Sequence, residues 1–163
     1  MWGIERLLLR ILAALAVVVG MAQFAPALAA EAVVTDIRIG AQKDLTRIVL
    51  EIDRQVAFSV FTLTNPNRIV VDLPEMGWRL PARPLPGATG VFKKLRYGLF
   101  KPGNSRLVLD VRTPAAIDSA FILEPGQNSG KNSGYRLVLD LASTTLKAFK
   151  EGAGKTPLRV AAV

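Results

Sequence analysis

The residues of this sequence with the clearest capacity for chemistry are four arginines, each followed four positions later by an acid. Each arginine opens a hexad of arginine, aliphatic, valine, aliphatic, acid and aliphatic residue, and the hexads occupy residues 47–52, 68–73, 106–111 and 136–141. A guanidinium group forms two parallel hydrogen bonds with a carboxylate, so such a set can bind an anionic ligand. The same residues can instead pair with one another as ion pairs on a solvated face.

The amino-acid composition excludes most kinds of catalytic site. Histidine and cysteine are absent, which excludes the usual zinc sites, every Ser-His-Asp or Cys-His arrangement and any disulfide framework. Carboxylate chemistry is the remaining enzymatic option, but an arginine beside each hexad acid favours an ordinary ionised carboxylate. The sequence therefore predicts a non-catalytic chain with no catalytic residues, metal ligands or cofactors.

The hexads have the pattern of β-strands, since they are short and rich in β-branched residues. Side chains alternate along a strand, so the apolar second, fourth and sixth positions share one face, which must lie against a core. Each hexad follows another apolar strand, and the order strand, Arg-strand, strand, Arg-strand occurs twice along the chain. The expected fold is all-β, an antiparallel β-sandwich of two four-stranded sheets built from this duplicated unit. A closed barrel is the structural alternative.

The segments between the predicted strands agree with this division. Asn65-Pro66-Asn67 is a predicted tight turn, and residues 127–134 are a predicted hairpin tip. The stretch 74–90 contains four prolines, which rule out a helix and fit a connection between the two halves. Trp78 lies in this connection and is expected to cover one end of the core.

The N-terminal residues predict export from the cytoplasm. Arg6 and Arg10 accompany a short apolar run, and Ala27-Leu28-Ala29 has the small residues that signal peptidase recognises. A signal peptide over residues 1–29, cleaved after Ala29 and used by the general secretion route, places the chain in the periplasm with no stable membrane anchor after cleavage. Of the formal net charge of +8, about +7 then remains. An exported basic chain meets wall carboxylates and lipid headgroups rather than nucleic acid.

The sequence resembles the AMIN domain over residues 33–142, because four hexads recur in register in an exported, duplicated β domain. AMIN domains are N-terminal modules of periplasmic N-acetylmuramoyl-L-alanine amidases and also occur in secretin-type pilus proteins. The resemblance implies an AMIN-like β-sandwich domain, predicted over residues 30–145. It also implies a non-catalytic module that binds peptidoglycan and targets a cell-wall amidase to the septum or wall.

The last residues carry a second resemblance. Residues 146–150 are interpreted as a single helical turn or a strand end, and residues 151–156 are small, polar and Gly-rich, as linkers are. Residues 146–156 are therefore predicted to be a linker. Pro157-Leu158-Arg159-Val160 is similar to the first strand of the zinc amidase domain that follows AMIN domains. In that family an Asp-Pro-Gly-His-Gly-Gly motif follows this strand, and the sequence given stops at Val163 before it. Residues 157–163 are therefore interpreted as the start of a truncated catalytic domain.

The resemblance assigns a ligand to the residues of the hexads. Peptidoglycan stem peptides carry carboxylates that arginines can bind, with acids orienting the guanidinium groups, and Tyr97 and Phe100 are candidate aromatic surfaces for sugar rings. The predicted peptidoglycan-binding residues are Arg47, Arg68, Arg106, Arg136, Asp72, Asp140 and Tyr97.

The alternative function is a protein-interaction module of an envelope or secretin/pilus assembly. Exposed edge strands can accept a strand from a partner. Residues 33–39 and 135–141 are the predicted edges, and septal or envelope proteins are the expected partners.

Overall fold

The alternating apolar pattern of the sequence forms ten strands and one short helix in the computed structural model, which describes residues 31–126 and 134–162. The predicted signal peptide lies outside the described residues, as does most of the predicted hairpin tip. The elements in chain order are β1 (Ala32–Gln42), β2 (Leu45–Ile52), β3 (Phe58–Leu63), β4 (Arg68–Pro74), β5 (Met76–Trp78), β6 (Phe92–Lys101), β7 (Asn104–Val111), β8 (Ala115–Leu123), β9 (Tyr135–Ser143), α1 (Leu146–Gly152) and β10 (Leu158–Val160).

The strands form two sheets that share one hydrophobic core. Sheet 1 has the order β5-β1-β2-β9-β8, and sheet 2 has the order β10-β3-β4-β7-β6. Every pairing is antiparallel except that of β1 with β5. Buried aliphatic and aromatic residues of both sheets belong to a single cluster. The predicted all-β antiparallel sandwich is confirmed, and the barrel alternative is not formed.

The prediction of four strands in each sheet was wrong by one strand per sheet. The two additional strands, β5 and β10, have three residues each and lie at sheet edges. Met76 in β5 is buried and fills the core, although its segment lies in the proline-rich connection. Strands this short have no measurable alternation, which is why sequence periodicity missed them.

The four hexads form the centre of the sandwich. β2 pairs with β9 in sheet 1, and β4 pairs with β7 in sheet 2. The inner-face residues of β2, β4 and β9 are fully buried, and so are the first two inner-face residues of β7. These core residues are Ile48, Leu50, Ile52, Ile69, Val71, Leu73, Leu107, Leu109, Leu137, Leu139 and Leu141. The apolar face that alternation predicted is therefore the core.

The duplicated unit has an internal two-fold relation. Sheet 1 combines the first hairpin of the first half (β1-β2) with the second hairpin of the second half (β8-β9). Sheet 2 combines the second hairpin of the first half (β3-β4) with the first hairpin of the second half (β6-β7). The outer faces consequently carry matching rows of residues. The central row of sheet 1 is Arg38, Val49, Val138 and Phe121, and that of sheet 2 is Arg96, Val108, Val70 and Phe61.

Trp78 and Tyr97 close one edge of the sandwich. Trp78 is partly buried and packs against the core, and its ring centroid lies 4.4 Å from that of Tyr97. Tyr97 is the register partner of the buried Leu107, so it points to the core side of β6. The prediction that Trp78 covers the core is confirmed.

The C-terminal residues fold onto the same core. The Thr145 side chain caps α1 by accepting a hydrogen bond from the Ala148 N–H at 3.1 Å. Phe149 in α1 is 3% exposed, and β10 pairs with β3. The segment predicted as a linker thus contains a helix that packs against the sandwich. The domain boundary after residue 145 stays a prediction. Within the described residues no helix is long and apolar enough to cross a membrane.

The free edges differ from those predicted from the sequence. The prediction for residues 135–141 was wrong, because they lie in β9, between β2 and β8. Residues 33–39 lie in β1, which β5 covers only over Ala32–Val34. Long strands lie at the opposite edge of each sheet, where β8 ends sheet 1 and β6 ends sheet 2.

Candidate ligand-binding faces

The pairing of the hexads decides where their charged residues lie. Two identical hexads that pair antiparallel in register bring the first residue of one opposite the fifth residue of the other. Arginine therefore faces an acid at each end of both central strand pairs. The facing pairs are Arg47 with Asp140 and Arg136 with Glu51 in sheet 1, and Arg68 with Asp110 and Arg106 with Asp72 in sheet 2.

Arg47 and Asp140 form a bidentate ion pair on the outer face of sheet 1. Arg47 Nε and Nη2 donate to the two Asp140 carboxylate oxygens at 2.7 and 2.8 Å, and Ser119 Oγ donates to Oδ2 at 3.0 Å. The Asp140 side chain is only 5% exposed, whereas that of Arg47 is 57% exposed. The hydrogen bonds from Arg47 hold the pKa of Asp140 below its usual value against the opposing effect of burial, and Asp140 raises the pKa of Arg47.

Arg106 and Asp72 form the equivalent pair on the outer face of sheet 2. Arg106 Nε and Nη2 donate to the two Asp72 oxygens at 2.6 and 2.8 Å. The Arg106 guanidinium carbon also lies 3.6 Å from the centre of the Phe100 ring and 5.7 Å from that of Phe61. Arg106 is therefore fixed both by a carboxylate and by two aromatic rings, which favours a single orientation.

The remaining hexad acids also bind arginines of the neighbouring edge-side strands. Asp110 accepts from Arg68 at 3.2 Å and from Arg96 at 2.9 Å. Glu51 binds Arg38 of β1. In the part of the chain that the structure describes, Arg136 makes no ion pair with Glu51 or another acid.

Sequence reasoning missed Arg38 and Arg96 as members of these faces. A signal for them was present, because each precedes a glycine by two positions in the repeated segments 37–40 and 95–98. The strand preceding each hexad contributes this arginine to the same outer row.

The structure brings the predicted arginines and acids together on two faces and separates Tyr97 from them. Tyr97 points to the core side of β6, against Trp78. Phe100 instead lies on the Arg106 side of the strand and is 52% exposed. Of the two candidate aromatic residues, Phe100 is the one beside the charged groups. A ligand role for Tyr97 stays a prediction.

Substitution Arg106→Lys should lower the free energy of unfolding by about 1 kcal/mol, because an ammonium can replace neither the bidentate geometry nor the stacking. Chemical denaturation of the single variant, Phe100→Leu and the double variant measures the coupling. Additive effects of the two substitutions would contradict a stacked guanidinium.

Among residues 31–126 and 134–162, no group of three or more Asp, Glu, His or Cys residues comes together as a metal site.

Comparison with known proteins connects these faces to a family. A relative, the N-acetylmuramoyl-L-alanine amidase AmiC of Escherichia coli O6:H1, is 28% identical over 118 residues. The match covers 70% of this chain and 27% of the amidase, so the chain spans about a quarter of that relative's length. The family model of the AMIN domain matches residues 36–131, which include the strands β2, β4 and β7 and most of β1. Since that match covers more than half of the chain, this protein belongs to the AMIN domain family.

Proposed function

We propose that this chain is a peptidoglycan-binding module that targets an N-acetylmuramoyl-L-alanine amidase to the cell wall or septum and has no catalytic activity itself. The observation that carries the proposal is the set of guanidinium groups on each outer face, among which those of Arg38, Arg47 and Arg96 are exposed and those of the other three hexad arginines are half-buried. Membership in the AMIN family and similarity to a named amidase support it. The predicted signal peptide and periplasmic location belong to the same proposal.

The arginines divide into two roles in this proposal. Arg47 and Arg106 each use two of their five donors on an internal carboxylate, and Asp140 and Asp72 orient the donors that remain. Arg136 has no ion pair among the described residues, and Arg68 has only one contact, at 3.2 Å, with an acid it shares with Arg96. Arg68 and Arg136 can therefore bind a stem-peptide carboxylate with little loss of internal bonding.

Co-sedimentation with purified, insoluble sacculi tests wall binding. The chain from residue 30 should sediment with sacculi at low salt and be released at high salt, because salt screens exposed charges. Arg68→Ala/Arg136→Ala should weaken binding by about tenfold, since two charge-assisted contacts are lost. Lys150→Ala/Lys155→Ala removes the same charge from exposed positions near the C-terminus and should bind as the parent does.

Each other outcome has a definite consequence. Equal losses in both variants would indicate attraction by overall charge rather than by these arginines. No sedimentation at either salt concentration would refute peptidoglycan binding.

A second function, the binding of a protein strand, has one specific observation in its favour. Among the strands that the structure describes, β8 is the terminal strand of sheet 1, and the one charged side chain among its nine residues is Asp118. Long apolar edges without lysine accept strands readily. Substitution Ala120→Pro removes a backbone donor at this edge and should abolish capture of an envelope partner while leaving wall binding intact.

A further inference from the structure

The two outer faces are related by the internal two-fold, yet their charges differ. On sheet 1 three arginines are matched by three acids, namely Arg38, Arg47 and Arg136 with Asp36, Glu51 and Asp140. On sheet 2 five cations surround two acids, namely Lys94, Arg68, Arg96, Arg106 and Arg159 around Asp72 and Asp110. Arg83 of the proline-rich connection adds a fourth cation beside Asp36 on sheet 1. The outer face of sheet 2 therefore carries a larger excess of cations over acids than the outer face of sheet 1.

The contrast begins at symmetry-related positions. Lys94 faces Asp110 in sheet 2, where sheet 1 has Asp36 facing Glu51. Asp36 is further occupied by Arg83 of the proline-rich connection and by the backbone N–H of Ile37. Lys94 is exposed and forms no ion pair within the described part of the chain. The sheet 2 face thus has an exposed cation, Lys94 of β6, opposite the acid of the Arg68–Asp110 pair.

The apolar groups of the two faces differ as well. Phe100 corresponds to Gln42, because each lies two positions after the matching glycine, Gly98 or Gly40. One side of the Phe100 ring covers the Arg106 guanidinium at 3.6 Å, and the residue remains half exposed. A half-exposed aromatic ring beside cations suits a ligand that combines anionic groups with apolar C–H surfaces.

We infer that the outer face of sheet 2 is the ligand-binding face of this module and that the outer face of sheet 1 is not. The inference rests on the proposed function and narrows it to one surface. Arg68 of sheet 2, and not Arg136 of sheet 1, then accounts for the weaker binding of Arg68→Ala/Arg136→Ala. Lys94, Arg96 and Arg68 hold carboxylates of the glycopeptide, and Phe100 contacts its sugar rings. Arg159 of β10 extends the same face, so the C-terminal strand contributes to binding.

Two double variants, one in the first hairpin of each half, test this assignment with the charge change held constant. Lys94→Gln/Arg96→Gln removes two cations from the β6 hairpin of sheet 2, and Arg38→Gln/Lys43→Gln removes two from the corresponding β1 hairpin of sheet 1. In both variants the acid that loses its partner still has an arginine opposite it, Arg68 for Asp110 and Arg136 for Glu51. A third variant, Phe100→Gln, places in sheet 2 the residue type that sheet 1 has at the corresponding position, Gln42.

Binding of each protein to insoluble sacculi at low salt is the measurement, with thermal unfolding to confirm folding. We expect Lys94→Gln/Arg96→Gln to bind about tenfold more weakly, Phe100→Gln about threefold more weakly, and Arg38→Gln/Lys43→Gln as the parent. Equal weakening of the two double variants, or weakening of the sheet 1 variant alone, would overturn the assignment while leaving wall binding in place. A parent chain that does not sediment would overturn the proposed function, and the assignment with it.

Discussion

Substitution Phe149→Ala should lower the free energy of unfolding by about 3 kcal/mol, although the residue lies in a segment that resembles a linker. Phe149 is 3% exposed and belongs to the hydrophobic core cluster. Truncation to alanine removes a buried ring and leaves a cavity between α1 and the sandwich. Urea denaturation of the chain from residue 30, followed by circular dichroism, measures the change.

The matched control is Phe100→Ala, which makes the same substitution at a half-exposed position. Loss of its contact with Arg106 should cost below about 1 kcal/mol. If Phe149→Ala has no larger effect than Phe100→Ala, the segment after residue 145 contributes nothing to the domain. That result would favour the boundary predicted from the sequence. A large effect for Phe149→Ala would extend the domain to include α1.

Much of the fold could be predicted because the hexads combine two independent signals. Alternation of Ile48, Leu50 and Ile52 identifies a strand with one buried face, and repetition of the pattern identifies a duplicated unit. Neither signal is available for β5 or β10, since three residues are too few to alternate. The order of strands was also inaccessible, because it depends on how the two halves exchange hairpins. This explains why β9 was mistaken for an edge strand.

The candidate site was predictable in its residue types and less so in its partners. The arginine and the acid of one hexad lie on the same face but at opposite ends of the strand. Arg47 therefore pairs with Asp140 of another hexad rather than with Glu51. The position of Tyr97 depends on bulges in β6, which change the side of the sheet that a residue occupies. Such register changes leave little trace in the sequence.

The internal two-fold also explains how the arginines can be structural and still have the binding role proposed for them. Antiparallel pairing of the hexads places an arginine opposite each carboxylate, and Asp72, Asp110 and Asp140 form ion pairs with it, whereas Glu51 binds Arg38 of β1. Additional arginines from β1 and β6 then supply cations beyond those that the hexads need. On sheet 1 Asp36 of β1 offsets part of this addition, and on sheet 2 Lys94 increases it. The ion pairs between the hexads thus satisfy most of the carboxylates, and the additional cations make the outer face of one sheet more positive than the other.

Substitution Arg47→Ala should lower the free energy of unfolding by about 2 kcal/mol at pH 7, and this difference should shrink as the pH falls below about 4. The pKa of Asp140 is lowered in the folded parent, chiefly by hydrogen bonds from Arg47. On acidification, Asp140 therefore takes up its proton at a higher pH in the unfolded chain than in the folded chain. The stabilisation is fully present above the unfolded pKa and is lost as the pH falls through the folded pKa. In the variant, burial without the guanidinium raises the pKa of Asp140, which reverses the sign.

Denaturation of both proteins at several pH values between 7 and 3 measures the difference. Arg38→Ala is the control, because its partner Glu51 is more exposed than Asp140. Its cost should stay below about 1 kcal/mol at every pH. A constant difference between Arg47→Ala and the parent across this range would mean that Arg47 contributes by packing its aliphatic stem rather than by its charge. A difference in unfolding free energy that shrinks on acidification would mean that Arg47 acts mainly by keeping Asp140 ionised. Arg47 would then have fewer donors available to a ligand than Arg68 has.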